Sequence, residues 1–297
     1  MSEPRSEHPS VPPVIGPARL AERMREGGDL AVVDVRWYLD GRDGHEAYRS
    51  GHLPGAVWAD VDTDLSSEPT REGGRHPLPT PEAFAEALGR LGIGDRTEVV
   101  AYDDAGGSTA ARLVWMLRVL GSPASVLDGG IQAWEGPLEK EEVRPEPRVR
   151  TAVPWPAERF ASTEELKDLK ERPAGRVLLD ARARGRYTGE QPAPVDARPG
   201  HVPGARSAEW QGNLGADGRF AAPERLRERF AVLGVEGAES VTAYCGSGVT
   251  ACHDLIALEH AGFAGARLYP GSWSAWGADT SLPVETGDPE GGTGDAR

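Results

Sequence analysis

Short apolar runs that stop at polar turns alternate along this chain with stretches whose apolar residues recur every three or four positions. Leu30–Val35, Glu98–Tyr102 and Ser125–Leu127 read as buried parallel strands, since apolar side chains fill both faces of such a strand. Thr80 suits an N-cap and Pro81 the first helical position. Phe84, Leu88 and Leu91 then form one apolar stripe that Gly92 ends. Val177–Leu179 gives a further strand, Pro223 starts an equivalent helix that Gly234 stops, and another helix is expected from Ala251. Strand–helix alternation implies a parallel sheet covered by helices on both faces.

The pattern occurs twice. Asp34-Val35-Arg36 closes one apolar run and Asp180-Ala181-Arg182 another, and Gly51-His52-Leu53-Pro54-Gly55-Ala56 returns as Gly200-His201-Val202-Pro203-Gly204-Ala205. Pro81, Phe84, Leu88, Leu91, Gly92 and Ile93 match Pro223, Leu226, Phe230, Leu233, Gly234 and Val235 at a constant offset of 142. The same offset carries Val99–Tyr102 onto Val241–Tyr244, Gly129 onto Gly271 and Trp134 onto Trp276. An ordered series of this kind is a duplication. The expected fold class is α/β, in two tandem domains at 14–138 and 157–286, each a parallel sheet covered by helices on both faces. Residues 139–156, dense in proline and charge, read as a linker. Residues 1–13 and the glycine-rich 287–297 read as flexible tails.

A length of 297 residues agrees with two domains of about 150 each. Basic residues number 33 against 47 acidic ones, a net charge of −14, which argues against a nucleic-acid binder with a phosphate-neutralising face. The two cysteines, Cys245 and Cys252, cannot build a disulfide scaffold or a four-cysteine zinc site, and their scarcity fits a reducing cytosol. Met1–Arg5 carries acid and proline where a signal peptide is apolar, and no apolar run approaches the roughly 18 residues of a membrane span. A soluble cytoplasmic protein is expected, with neither nucleic acid nor membrane as partner. No nucleotide-binding glycine pattern, metal cluster or pyridoxal-phosphate signature occurs, so no cofactor and no metal are expected.

Duplicated domains with one active site should agree in scaffold and differ at the chemistry. The clearest difference directly follows Tyr102 and Tyr244: Asp103-Asp104-Ala105-Gly106-Gly107 in the first copy, Cys245-Gly246-Ser247-Gly248-Val249-Thr250 in the second. A cysteine and two glycines between a strand and a helix occupy the place where open α/β folds bind ligands. The glycines let successive N–H groups point inward, and the helix start adds its positive dipole end. Such a cradle favours a reactive thiolate and holds an anion at its sulfur. Cys252, inside the following helix, reads as a core contact, and a metal set of Cys245, Cys252 and His253 lacks a second ligand pair. A cysteine phosphatase would need an arginine six residues after the cysteine, where Ala251 stands.

The tandem domains, the paired Gly-His-x-Pro-Gly-Ala elements and the Cys245–Thr250 loop resemble the two-domain rhodanese superfamily over roughly residues 15–285, and the loop is similar to that of its 3-mercaptopyruvate sulfurtransferases. The resemblance implies sulfur transfer through a persulfide on Cys245, from a small anionic donor to cyanide, a thiol or thioredoxin, with Gly246, Gly248, Val249 and Thr250 binding through the loop. It gives Arg186 as the donor's oxyanion site. A second arginine usual in that group falls on Val195, with Arg198 close by. The resemblance also implies a proton relay from Ser247 through His52 and Asp43. The residues themselves favour a turn-stabilising histidine at His52, and more so at His201, because the element recurs in the copy without the relay's cysteine partner. Trp273 and Trp276 read as domain core rather than cleft lining. The alternatives are thiosulfate:cyanide sulfurtransferase and a persulfide carrier with little turnover of its own.

Overall fold

The computed structural model describes residues 11–167, 176–237 and 241–288. Strands β1 (Val14–Ile15), β2 (Leu30–Asp34), β3 (Val57–Trp58), β4 (Glu98–Tyr102) and β5 (Ala124–Leu127) form a sheet in the order β1-β5-β4-β2-β3. Strands β6 (Val177–Asp180), β7 (Arg206–Ser207), β8 (Val241–Tyr244) and β9 (Arg267–Leu268) form a second sheet in the order β7-β6-β8-β9, which repeats β3-β2-β4-β5. Every pairing within the two sheets is parallel. The edge that β1 fills in the first sheet is met in the second by a parallel bridge from Phe160 to Leu268.

Helices α1 (Pro17–Glu26), α2 (Gly44–Ser50), α3 (Pro81–Arg90) and α4 (Ala110–Val119) belong to the first half. Helices α5 (Thr163–Lys167), α6 (Arg184–Thr188), α7 (Pro223–Val232), α8 (Ala251–His260) and α9 (Ser272–Trp276) belong to the second. Thr80 caps α3, its Oγ1 accepting from the Ala83 amide at 3.2 Å. Helices α4 and α8 have no exposed face over Ala110–Arg118 and Ala251–Leu258. Helices buried on every side are core helices, and these two pack on each other. The apolar cluster they create runs from Val33 and Val99 through Trp115 and Leu255 to Leu179 and Val241, so the two halves share one core.

The repeated motifs are scaffold. Arg36 clasps Asp34 and donates Nη2 to the Gly51 carbonyl at 2.7 Å; Arg182 clasps Asp180 and donates to the Gly200 carbonyl at the same distance. This ties the end of β2 or β6 to the start of the Gly-His element. Tyr102 and Tyr244 accept from the amides of Leu53 and Val202, the residues after each histidine. His52 stacks on Tyr48 with its Nδ1 2.9 Å from the Tyr48 carbonyl, and His201 repeats this on Tyr187 at 2.8 Å.

Residues 140–156 form neither helix nor strand and run along the first half, where Arg148 pairs with Asp29 and Trp155 Nε1 donates to the Pro79 carbonyl. Of the expected tails, 1–10 and 289–297 lie outside the described residues. Residues 11–13 are anchored rather than free. The Pro13 carbonyl accepts from Val126 N at 2.9 Å, and the Val11 carbonyl accepts from Arg118 Nη1 at 3.0 Å. Near the other end, Gly287 N donates to the Thr188 carbonyl. Among the described residues no helix is long and apolar enough to cross a membrane.

The Arg182 and Asp180 side chains are 1% and 0% exposed, so removing one partner strands the other's charge in the core. Arg182→Met is expected to destabilise the protein by about 3–5 kcal/mol. Chemical denaturation checks this; a loss below about 1 kcal/mol would show that the pair does not hold the element.

Candidate active site

Cys245 begins the loop that leaves β8, and it is 1% exposed. The loop is fastened on one side by the start of α9. Cys245 N donates to Ser272 Oγ at 3.2 Å, Trp273 N to the Cys245 carbonyl at 2.9 Å, and Ser274 N to the Gly246 carbonyl at 2.8 Å. Ser272 has a φ of 51°, a left-handed backbone that a non-glycine residue adopts at a cost. Gly248, at φ 81°, turns its amide to Cys245 Sγ at 3.2 Å. A Cβ on Gly248 would lie 2.9 Å from the Pro270 carbonyl, so the tight curl requires glycine.

The first half displays the same loop with an anion in it. Asp103 Oδ1 accepts from the amides of Ala105 and Gly107, and Oδ2 from those of Thr109 and Ala110, all at 2.8–2.9 Å. At the offset of the repeat, Asp103 corresponds to Cys245. The amides of Ser247, Val249 and Ala251, counterparts of Ala105, Gly107 and Thr109, meet no acceptor among the described residues. The second loop thus keeps inward N–H groups open for an anion at the sulfur.

Ser247 Oγ lies 2.7 Å from His76 Nδ1, and His76 Nε2 lies 2.8 Å from Asp62 Oδ1. A carboxylate only accepts, so Nε2 carries the proton and Nδ1 accepts from the serine hydroxyl. Trp37 holds Asp62 Oδ2 through its indole N–H at 2.9 Å and packs T-shaped with the His76 ring. Burial lowers the pKa of His76, and the Asp62 carboxylate opposes that shift without cancelling it. Arg112, fully buried on α4, crosses from the first half to donate Nη1 to the Gly248 carbonyl at 3.0 Å. Its Nη2 donates to the carbonyls of Leu65 and His76 at 3.2 Å, so one cation spans the cysteine loop and the segment carrying His76.

Arg186 is part-buried, with Nε and Nη2 donating to Asp196 at 2.8 and 2.6 Å. Burial pushes the Asp196 carboxyl upward, but the hydrogen bond and charge of Arg186 outweigh it and the net shift is down. Arg198 is spent on the carbonyls of Trp276, Gly277, Asp279 and Leu282 and offers no fork to a ligand. Thr250 stands at the N-cap of α8. Cys252 is fully buried with its thiol pushed up to about 12 by burial, although Arg112 acts in the opposite direction. Trp273 and Trp276 are core residues, their indole N–H groups bonded to the Arg198 and Pro283 carbonyls. Among the described residues no cluster of histidine, cysteine and carboxylate could hold a metal.

The relay expected through His52 and Asp43 is not what the structure assembles. His52 is committed to Tyr48, and Asp43 caps α2, accepting from the His45 and Glu46 amides. The residues that meet Ser247 are His76 and, behind it, Asp62. A sequence signal for them exists. From Ala56 to Pro81 the first copy is seven residues longer than the second from Ala205 to Pro223, and Asp62 and His76 lie in that longer segment. Its lack of periodicity hid them, as did their pairing with a loop about 170 residues away.

The family model for the rhodanese-like domain matches residues 17–137 and again 162–279. A relative from Pseudomonas aeruginosa named "Probable 3-mercaptopyruvate sulfurtransferase" is 45% identical over 279 residues, covering 91% of this chain and 96% of its own. The thiosulfate sulfurtransferase of Rattus norvegicus is 36% identical over 289 residues, covering 93% and 95%. Among solved structures, the 3-mercaptopyruvate sulfurtransferase from Leishmania major superposes with a TM-score of 0.74 at 32% identity, over 90% of this chain and 75% of that one.

A thiol titrating at about 12 is ionised in roughly one molecule per ten thousand at pH 8, so it is inert to alkylation. Iodoacetate is therefore expected to label Cys245 in the native protein and Cys252 only after denaturation. Peptide mapping reads the result, and native labelling of Cys252 would contradict it.

Proposed function

The chain belongs to the rhodanese family in both halves and is a sulfurtransferase, and we propose that it takes sulfur from 3-mercaptopyruvate and carries it as a persulfide on Cys245. The observation that carries this reading is the Ser247–His76–Asp62 chain beside the cysteine loop. Thiosulfate delivers its outer sulfur and leaves as sulfite without moving a proton. Mercaptopyruvate must lose the S–H proton and regain one on carbon, so a proton relay is useful only for the second donor.

The Cys245 thiolate attacks the donor sulfur, the S–S bond forms, and the donor C–S bond breaks with its electron pair on the methylene carbon. The S–H proton passes by way of the Ser247 hydroxyl toward His76 Nδ1 and returns to that carbon, giving pyruvate and an enzyme persulfide. Asp62 holds the imidazole tautomer that accepts at Nδ1. The open amides of the loop stabilise the negative outer sulfur, as their counterparts stabilise Asp103. A thiolate or cyanide then attacks the outer sulfur and Cys245 departs as thiolate, closing the cycle.

Ser247→Ala and His76→Asn are expected to lower kcat with mercaptopyruvate by about 10²–10⁴-fold and to leave thiosulfate turnover within a few-fold of its own value. Equal effects on both donors would overturn the relay, and mass spectrometry showing no added sulfur on Cys245 after donor treatment would overturn the persulfide. The preferred donor is read from the two kcat/KM values. The pH dependence has a defined sign. His76 accepts only when neutral, and burial lowers its pKa from 6.5, so the rate should hold down to about pH 6.5 and fall on an acid limb below it. Asp62→Asn removes the opposing charge and should move that limb to still lower pH.

A further inference from the structure

Arg112 is a buried cation that no carboxylate neutralises among the described residues. Its wholly buried side chain donates to three carbonyl oxygens, Nη1 to Gly248 at 3.0 Å and Nη2 to Leu65 and His76 at 3.2 Å each, while Nε meets no acceptor. Other buried arginines of this chain are paired: Arg36 with Asp34, Arg182 with Asp180 and Arg118 with Glu259. Arg75 and Arg186, which approach Gly246, are only part-buried. A charge taken wholly out of water without a counter-ion is costly, and three carbonyl dipoles offset only part of that cost.

The Gly248 carbonyl that Arg112 holds belongs to the same planar trans peptide as the Val249 amide, so fixing the oxygen on one side points the N–H to the other. The Val249 amide is one of the loop amides that meet no acceptor among the described residues. The first half shows the completed arrangement at the equivalent atoms. There the Gly106 carbonyl is held by His253 Nε2 at 3.0 Å, and the Gly107 amide of that same peptide donates to Asp103 Oδ1 at 2.8 Å. Gly106, Gly107 and Asp103 correspond in the repeat to Gly248, Val249 and Cys245. The two grips differ in charge. His253, pushed down to about 4 by burial, holds a loop whose carboxylate is permanent and does so as a neutral ring. Burial lowers the pKa of Arg112 as well, with the thiols of Cys252 and Cys245 acting in the opposite direction, yet a guanidinium stays protonated. A charged donor on a carbonyl polarises the whole peptide unit and makes its N–H the stronger donor.

We infer that Arg112 is a positioning residue for sulfur transfer: through the Gly248 carbonyl it aims and polarises the Val249 amide toward the anion at the Cys245 sulfur. The inference rests on the persulfide reading and is independent of which donor supplies the sulfur. Arg112 cannot simply follow the loop, because its Nη2 is fixed by the Leu65 and His76 carbonyls of the first half. It acts as a post against which the loop is set. The equivalent position on α8 carries Asp254, which accepts from Asn213 of its own half, so the crossing cation stands only on the side that does the chemistry.

The test takes Arg112→Gln and Arg112→Lys in the full-length enzyme, with steady-state kinetics and with selective ¹⁵N-valine labelling to follow the Val249 amide in the resting and persulfidated states. The kcat should fall about ten- to a hundredfold in Arg112→Gln, with mercaptopyruvate and thiosulfate alike, because the loop serves both donors. KM should stay within about threefold of wild type, and Arg112→Lys should recover part of the loss. In the wild type the Val249 amide proton should move downfield when the persulfide forms, and in Arg112→Gln that movement should shrink by about half or more. A mere packing role would lower stability and leave the Val249 response unchanged. A kcat within about twofold of wild type in Arg112→Gln, or an unchanged Val249 response, would overturn the proposal. Should Arg112→Gln fail to fold, Arg112→Lys decides alone, since it keeps the charge and gives up the two-sided hold; a Val249 response equal to that of wild type then overturns it. Should donor treatment add no sulfur to Cys245, the persulfide reading fails on its own. The Val249 amide is then compared in Cys245→Asp, whose carboxylate would fill the loop as Asp103 fills the first, with and without Arg112→Lys, and an identical shift in both decides against Arg112.

Discussion

Inward-pointing backbone amides at a strand end are the constraint on which this molecule turns. Each buried N–H without an acceptor costs free energy, so a loop that curls several of them toward one point must be given an anion there. The first half satisfies the demand permanently, with four amides on the Asp103 carboxylate. The second half has Cys245 in place of that carboxylate, and three of the four counterpart amides, those of Ser247, Val249 and Ala251, meet no acceptor among the described residues. The first loop is filled by its own carboxylate. The second has room for an anion at the same place.

An unfilled loop of this kind would relax unless it were held from outside, and the holding is reciprocal. Arg112 on α4 reaches the Gly248 carbonyl of the second loop, and His253 on α8 reaches the Gly106 carbonyl of the first. Gly106 and Gly248 are equivalent in the repeat, so each copy's long buried helix grips the other copy's loop. The chemistry of the two grips differs. Arg112 brings a positive charge beneath the working loop. His253 is pushed down to about 4 by burial and grips as a neutral imidazole. Next to it Asp254 is raised to about 7 by burial, with Asn213 donating to it at 2.6 Å. Because α4 and α8 share one core, neither loop is independent of the other half, which is what a site built from both halves requires.

Much of this was legible in the chain. Apolar runs marked the central strands β2, β4, β5, β6 and β8, because burial on both faces leaves a continuous apolar run, whereas the two-residue strands β1, β3, β7 and β9 are too short to show one. The glycines beside Cys245 announced the loop, since no ordinary strand end needs φ near 80°. What stayed hidden has a common physical cause. Asp62, Arg75 and His76 sit on an irregular segment whose shape is set by contacts with the opposite half, such as Gly74 against the Gly271 carbonyl. No local periodicity encodes that kind of contact. His52, which the resemblance offered for the relay and the residues themselves favoured as turn-stabilising, is bonded and stacked on Tyr48 as the second reading has it. Its motif is strongly patterned because it is scaffold, as its exact recurrence at His201 on Tyr187 shows. Asp196, which spends half of the Arg186 fork, could not be placed beside it from a separation of ten residues without helix or strand between them.

The acid excess gives the division of labour its logic. A protein of net charge −14 repels anions at long range, so an attractive field has to be created within a few ångströms of the loop. The half that bears the cysteine cannot supply that field alone. Its Arg186 is paired with Asp196, and its Arg182 is buried against Asp180. The cations near the loop that have no carboxylate partner among the described residues are Arg75 and Arg112, and both come from the other half. The same half contributes His76 and Asp62. The half without a cysteine thus supplies the cations beside the loop that have no carboxylate partner among the described residues. It can present charges to the sulfur without pairing them to its own scaffold, because the loop it serves belongs to its twin.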